Sequence, residues 1–281
     1  MAICNWQLPI CFIILSNYIP LKKLITLSVT LCLLTIAHCQ FPYWQQQVNY
    51  TIDVSLNDKD HALDGFEKIE YINNSPDTLQ FIWFHLWPNA YKNDKTAFTD
   101  QSLENGNTKF YFSGKEDRGY INKLEFRVNE QTASTEDHPQ HIDIIKLVLP
   151  TPLPPGQKII ITTPFHVKLP FNFSRGGHVG ETYQATQWYP KPAVYDKKGW
   201  HPIPYLDQGE FYSEFGNFDV RITLPKNYVV AATGDLQNED EKNWLLSRSS
   251  FTWKPQKETL PIGRVFKLVA GVGFEPTAFR L

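Results

Sequence analysis

Val48, Tyr50, Ile52, Val54 and Leu56 are apolar, and the four residues between them are polar. A period of two places all five apolar side chains on one face of an extended chain, so this stretch buries a face only as a β-strand. Asn57-Asp58-Lys59-Asp60 supplies turn chemistry, and alternation resumes over 63–71 through Phe66, Ile69 and Tyr71. The two stretches read as a hairpin. After a turn at 73–77, residues 79–86 form an aromatic and aliphatic run suited to a strand buried on both faces. Further strands are expected at 123–128, 142–149, 158–169, 218–224 and 228–233, with 150–156 as a connecting loop. Helical periodicity is confined to a short stretch at 96–103. The fold class expected is all-β: one large antiparallel sheet, or two sheets packed as a sandwich.

Such a fold needs a core, and 42% hydrophobic and 14% aromatic residues suffice for one. Eight Trp against one Met favour stiff aromatic packing. The formal net charge of −2 leaves no basic stripe of the kind nucleic-acid binding requires. All four cysteines (Cys4, Cys11, Cys32, Cys39) lie in the first 39 residues. Residues beyond Cys39 therefore have no disulfide, no thiol nucleophile and no thiolate to hold a metal.

Those 39 residues read as an export signal with an upstream extension. Lys22-Lys23 form a basic start, 24–36 is an uncharged apolar run, and Ala37-His38-Cys39 offers small residues at −3 and −1 before Gln40. The run is short for a membrane span, which needs about 20 apolar residues. Cleavage near Cys39–Gln40 and a periplasmic or secreted product are expected, with membrane contact only through an uncleaved leader, to which the apolar patch at 10–15 would add. His38 is a poor neighbour for a lipidated Cys39. Because Met1 is the only methionine, initiation at Leu21 through a non-standard codon is an alternative start.

The chemically dense part of the chain is Thr186-Gln187-Trp188-Tyr189-Pro190-Lys191-Pro192, followed by Gly199-Trp200-His201-Pro202 and Pro204-Tyr205-Leu206-Asp207. Prolines fix their own backbone angle and donate nothing to a sheet ladder, so this is a rigid, non-repetitive loop. Two readings are open: the edge of a site, or a packed corner between sheets.

Four motifs in order carry a resemblance: Phe84-His85-Leu86-Trp87-Pro88-Asn89, the 186–190 segment, Phe215-Gly216-Asn217-Phe218-Asp219-Val220, and Tyr228-Val229-Val230-Ala231-Ala232-Thr233-Gly234. Together they resemble the N-terminal domain of aminopeptidase N-type zinc metallopeptidases (peptidase family M1), in particular its secreted Bacteroidetes-type members, over 43–255. The resemblance implies a saddle-shaped β domain packed on a thermolysin-like catalytic domain, with a peptide substrate shared between them and zinc in the full-length family. It also places 186–190 at the active site, where a Glu or Gln binds the substrate's free amine. Thr186, Gln187 and Pro190 match that pattern, whereas Tyr189 stands at the Glu position and brings no negative charge. Gln187 and Tyr189 are therefore the expected substrate-binding residues, and Asp207 a structural anchor.

The departures concern catalysis. Zinc chemistry of this family uses His-Glu-x-x-His plus a downstream Glu, and no such motif occurs. Pro139 breaks His138-Pro139-Gln140-His141 as a helical motif, and Gly176-Gly177 make His178-Val179-Gly180-Glu181 a loop. The Gly-x-Met-Glu-Asn substrate loop is missing as well. The chain by itself is expected to be inactive, with no cofactor and no metal site. The expected domain spans 40–255, and 256–281 is expected to be a frameshift-derived or truncated tail resembling the Gly-Phe-Glu-Pro-Thr endings of spurious reading frames.

Other polar features have plain explanations. Sequons at Asn49, Asn73 and Asn172 occur often by chance, His85 and His166 are expected as core or surface residues, and Glu239-Asp240-Glu241 as a solvated turn. The rival function is a secreted carbohydrate- or protein-binding β-sandwich, resting on Trp188, Tyr189, Trp200 and Tyr205 as exposed rings.

Overall fold

The structure is a computed structural model and describes residues 43–209, 211–249, 264–270 and 278–280. The leader, the expected boundary at 255 and the 273–277 motif lie outside these residues. The hairpin forms as the alternation requires: β1 (Gln47–Asn57) pairs antiparallel with β2 (Ala62–Ile72) along their whole length. The residues at even positions from 48 to 56 are buried, and those between them are exposed or half-buried. β2 continues onto β5 (Lys158–Lys168), again antiparallel over eleven residues. These strands centre a nine-stranded sheet that also contains β9 (Phe218–Leu224) and β10 (Arg264–Ala270).

One pairing in this sheet departs from the antiparallel expectation, because β9 runs parallel to β1 with Tyr50 opposite Phe218. β10 then pairs antiparallel with every residue of β9, so the segment 264–270 belongs to the main sheet.

A second sheet is built on β3 (Leu79–His85) and β4 (Ile144–Leu153), flanked by β8 (Lys191–Pro192) at one edge and Thr135–Asp137 at the other. One hydrophobic cluster joins the two sheets, with Val48, Ile52, Ile69, Ile161 and Val220 from the first and Ile82, Phe84 and Leu147 from the second. A smaller aromatic cluster of Trp87, Tyr91, Phe98, Phe110 and Tyr205 gathers around α1 (Ala97–Glu104). The side chain of Thr96 caps that helix by accepting from the Thr99 N–H. β6 (Gly177–Val179) and β7 (Thr182–Thr186) form a hairpin leading into the 186–192 loop.

Several expectations are corrected. The strand expected at 123–128 is reduced to Arg127–Val128, because Lys123 turns into the left-handed region (φ +58°) after the short strand Tyr120–Asn122. β4 runs to Leu153 through the expected loop: the β3–β4 register shifts between Leu79 and Phe81, and exposed Pro150 and Pro152 sit in that irregularity. β3 is not buried on both faces; Gln80 is exposed, and Phe81 and Trp83 are half-buried under only partial cover, with Trp200 stacking on Phe81 at 5.9 Å. Of 228–233 only Ala231–Ala232 is a strand. Glu239, Asp240 and Glu241 are not a turn but the first turn of a helix, α2 (Glu239–Ser249), where carboxylates suit the exposed N–H groups.

Candidate functional site

The 186–192 loop crosses from the β6–β7 hairpin to the edge of the second sheet. At its start the Thr186 hydroxyl donates to the Arg175 carbonyl at 3.1 Å. At its end Lys191 pairs with His85 and Pro192 with Phe84, and Ala193 N–H donates to Trp83 O at 2.8 Å. β8 is an edge strand, the place where a sheet tolerates Pro192. Between these anchors Gln187 takes a left-handed backbone (φ +52°), a conformation that costs a non-glycine residue of order 1 kcal/mol or more.

The site edge that the resemblance implies for 186–190 would be solvent-exposed in a chain without the catalytic domain, and this loop is not. Gln187 is 5% exposed, and Trp188 and Tyr189 are each 1% exposed. Tyr189 lies edge-on to Tyr50 at 5.4 Å and to Phe218 at 6.2 Å, and Trp188 packs against Phe165 at 5.9 Å. The loop thus closes over the inner face of the main sheet, where β1, β5 and β9 present their apolar side chains. Tyr205 is buried too and Trp200 is half-buried, so Trp188, Tyr189 and Tyr205 offer no exposed ring faces to a sugar.

What the loop buries is polar at its centre. Lys191, 1% exposed, donates from Nζ to Gln187 Oε1 at 2.6 Å. The same ammonium lies 4.9 Å from the Tyr189 ring centroid and 5.2 Å from that of Trp87. A desolvated cation over two ring faces is a favourable cation–π arrangement, worth about 2 kcal/mol or more per contact when water is excluded.

Glu67 is fully buried on the inner face of β2, and neither carboxyl oxygen has a hydrogen-bond partner among the described residues. Burial pushes its pKa well above the usual carboxylate range, against the opposing pull of Lys191. His85, also fully buried, stacks on Trp87 at 4.3 Å and accepts the Ile203 N–H through Nε2 at 3.1 Å, which places its proton on Nδ1. Burial, and next the Lys191 charge, lower its pKa to about 3, so it is neutral. His85 is a core residue, as expected.

Asp207 also behaves as the anchor expected of it. It accepts from Ser174 Oγ at 2.6 Å, and its carbonyl accepts from Arg175 at 3.1 Å. The Tyr205 N–H donates to Asp143 at 2.7 Å, and the Trp87 indole donates to Ile203 O at 3.0 Å. These bonds tie the 203–207 segment to Ser174, Arg175, Asp143 and Trp87. A small cleft reaches in from the surface between Trp87, Tyr91, Thr186, Gln187, Trp188 and Tyr205, with a free volume of about 20 Å³, room for a single water.

The remaining histidines do not converge on a metal set. His138 Nδ1 accepts the backbone N–H groups of Gln140 and His141. His178 stacks on His61 at 3.7 Å, and His166 pairs with Asp64 at 2.7 Å. Among the described residues no group of three or more His, Cys, Asp or Glu is placed to hold a metal ion. The described residues thus bring together no ligand set of the kind zinc takes.

Sequence reasoning named Gln187 and Tyr189 but missed Glu67 and Lys191. Glu67 carried a readable signal: it shares the inward phase of β2 with Leu63, Ile69 and Tyr71. Lys191, set between two prolines in a stretch without period, carried none.

No family model matches the chain, and no curated protein does. Solved structures resemble its fold. Two of these are the M1 zinc metallopeptidase from Deinococcus radiodurans and a mutant of it bound to a Tyr-Ser-Ala substrate. Both show 13% identity and a TM-score of 0.45. The match covers 84% of this chain and 42% of each structure, so the chain spans about two-fifths of their length.

Proposed function

We propose that this chain is the non-catalytic, substrate-facing β domain of a secreted M1-type zinc metallopeptidase. It forms one wall of a peptide site, and the zinc ligands belong to a catalytic domain outside the sequence. The observation that carries this reading is the chemistry at Gln187. The Gln187 amide oxygen, 2.6 Å from the Lys191 ammonium and next to the rings of Tyr189 and Trp87, belongs to a set of groups whose chemistry suits R–NH3+, a place that Lys191 fills in the unaltered chain. The order of the four sequence motifs supports the family assignment, and the missing His-Glu-x-x-His motif supports a non-catalytic role for this part.

The test is a titration of the full chain with trialanine and with its N-acetyl form, followed through the indole N–H resonances of Trp87 and Trp188, which flank the cleft. Binding of either peptide in the millimolar range is expected to shift both signals, while insoluble glycans leave the protein in solution. Silence of both indoles toward both peptides, or retention on glycan, overturns the reading. Metal analysis and an aminoacyl-arylamide assay on the same sample are expected to show neither stoichiometric zinc nor turnover.

A further inference from the structure

The ammonium on Gln187 comes from the chain itself. Lys191 is held by its backbone pairing to His85, by the fixed backbone angles of Pro190 and Pro192, and by burial that leaves 1% of it exposed. Its Nζ occupies the acceptor and both ring faces that an incoming amine would use. The single-water cleft lined in part by Gln187 and Trp87 lies beside this point. Neither oxygen of the buried Glu67 has a hydrogen-bond partner among the described residues, and the Lys191 charge opposes the burial that raises its pKa.

We propose that Lys191 is the built-in occupant of an ammonium site formed by Gln187, Tyr189 and Trp87. An external alkylammonium group binds there only when the Lys191 side chain is removed or withdrawn. The site stands on this geometry alone; its extension to a peptide amino terminus rests on the reading of the chain as a peptidase wall. In that setting the unaltered domain binds peptides without distinguishing a free from an acetylated amino end, and loss of Lys191 confers the distinction.

The experiment is chemical rescue. Lys191→Ala removes three methylenes and the ammonium, one carbon fewer than n-butylammonium carries. The variant is expected to melt below the unaltered protein and to regain roughly 2–4 °C with n-butylammonium several-fold above its Kd. n-Butanol, equal in size but uncharged, is expected to give less. Tetramethylammonium, which has no N–H to donate, is expected to give none, and the unaltered protein should respond to neither cation. Equal rescue by butanol, or no rescue by n-butylammonium, overturns the proposal.

If the variant does not fold, 15N-lysine NMR of the unaltered chain decides. A slowly exchanging ζ-ammonium signal moved upfield by the two rings is expected, and its absence overturns the proposal. Trialanine and its N-acetyl form, titrated into the variant, separate the two ideas. Rescue by n-butylammonium without peptide binding leaves the ammonium site standing and removes the peptidase reading. Peptide binding without rescue does the reverse.

Discussion

The β1–β2–β5 ribbon and the 186–192 loop are both buried, yet they are specified in different ways. In the ribbon, inward and outward residues alternate along all three strands, and the inner face is almost wholly apolar. In the loop there is no period, and a lysine, a glutamine and two aromatic rings are packed where the ribbon would place valine or isoleucine. The ribbon is held by area removed from water, which tolerates volume-conserving change. The loop is held by a polar network in a dry interior, where removing one member leaves its partners unsatisfied. Glu67 is where the two regions meet: a residue of the ribbon that answers electrostatically to the loop.

The largest effect expected from this contrast is electrostatic. His85 has a folded-state pKa of about 3 against an ordinary 6.5. Below 6.5 the unfolded chain therefore binds a proton that the folded chain refuses, and stability falls as pH drops from 6.5 toward 3. The loss approaches roughly 4–5 kcal/mol at the acid end. Urea unfolding across that range, compared with His85→Gln, isolates the term, because Gln keeps an acceptor for the Ile203 N–H. Parallel pH profiles would show that His85 is not buried against Lys191, and the contrast would break.

Next in size is Tyr189→Ala, expected to cost about 3–5 kcal/mol as the truncation of a fully packed aromatic. A cost below about 1 kcal/mol would mean the loop is a surface feature after all. Gly216→Ala follows, at roughly 1–3 kcal/mol, because an added Cβ would overlap the Val48 carbonyl oxygen where 215–217 meets β1. That loss would show up as a lower urea midpoint with an unchanged slope.

The smallest effect sharpens the comparison most. Glu67 has a raised pKa, so the stability linked to its proton is fully present below about pH 4.5 and is lost as pH rises through the folded value. Glu67→Gln is therefore expected to add about 1 kcal/mol at pH 8 and little at pH 4. A destabilised variant at pH 8 would instead mark an ionised Glu67 acting as counter-ion to Lys191.

Much of the ribbon could be read from the chain. The hairpin, the strand at Phe218–Leu224 and the short helix at Ala97–Glu104 all fall within a residue or so of where periodicity and capping put them. Local pattern says nothing of which strand lies beside β1, and its parallel partner depends on residues remote in sequence. Lys123 and the Pro150–Pro152 stretch failed for a different reason, since tertiary contacts overrode the local signal. At the site, resemblance supplied Gln187 and Tyr189, but burial is a property of what packs around them. Aromatic and proline density is equally compatible with a rim and with a plug.

The parallel seam between β1 and β9 also has a consequence in time. Asn217 N–H donates to Asn49 Oδ1 across 168 residues of chain, so the local β1–β2 hairpin keeps one long hydrogen-bonding edge open until β9 is available to pair with it. Non-local pairing of this kind slows folding and leaves a sticky strand exposed meanwhile. A chain emerging end-first from a ribosome or a translocation pore cannot complete its central sheet until β9 follows. Its vulnerability to aggregation and proteolysis is therefore greatest in the interval between the appearance of β1 and that of β9.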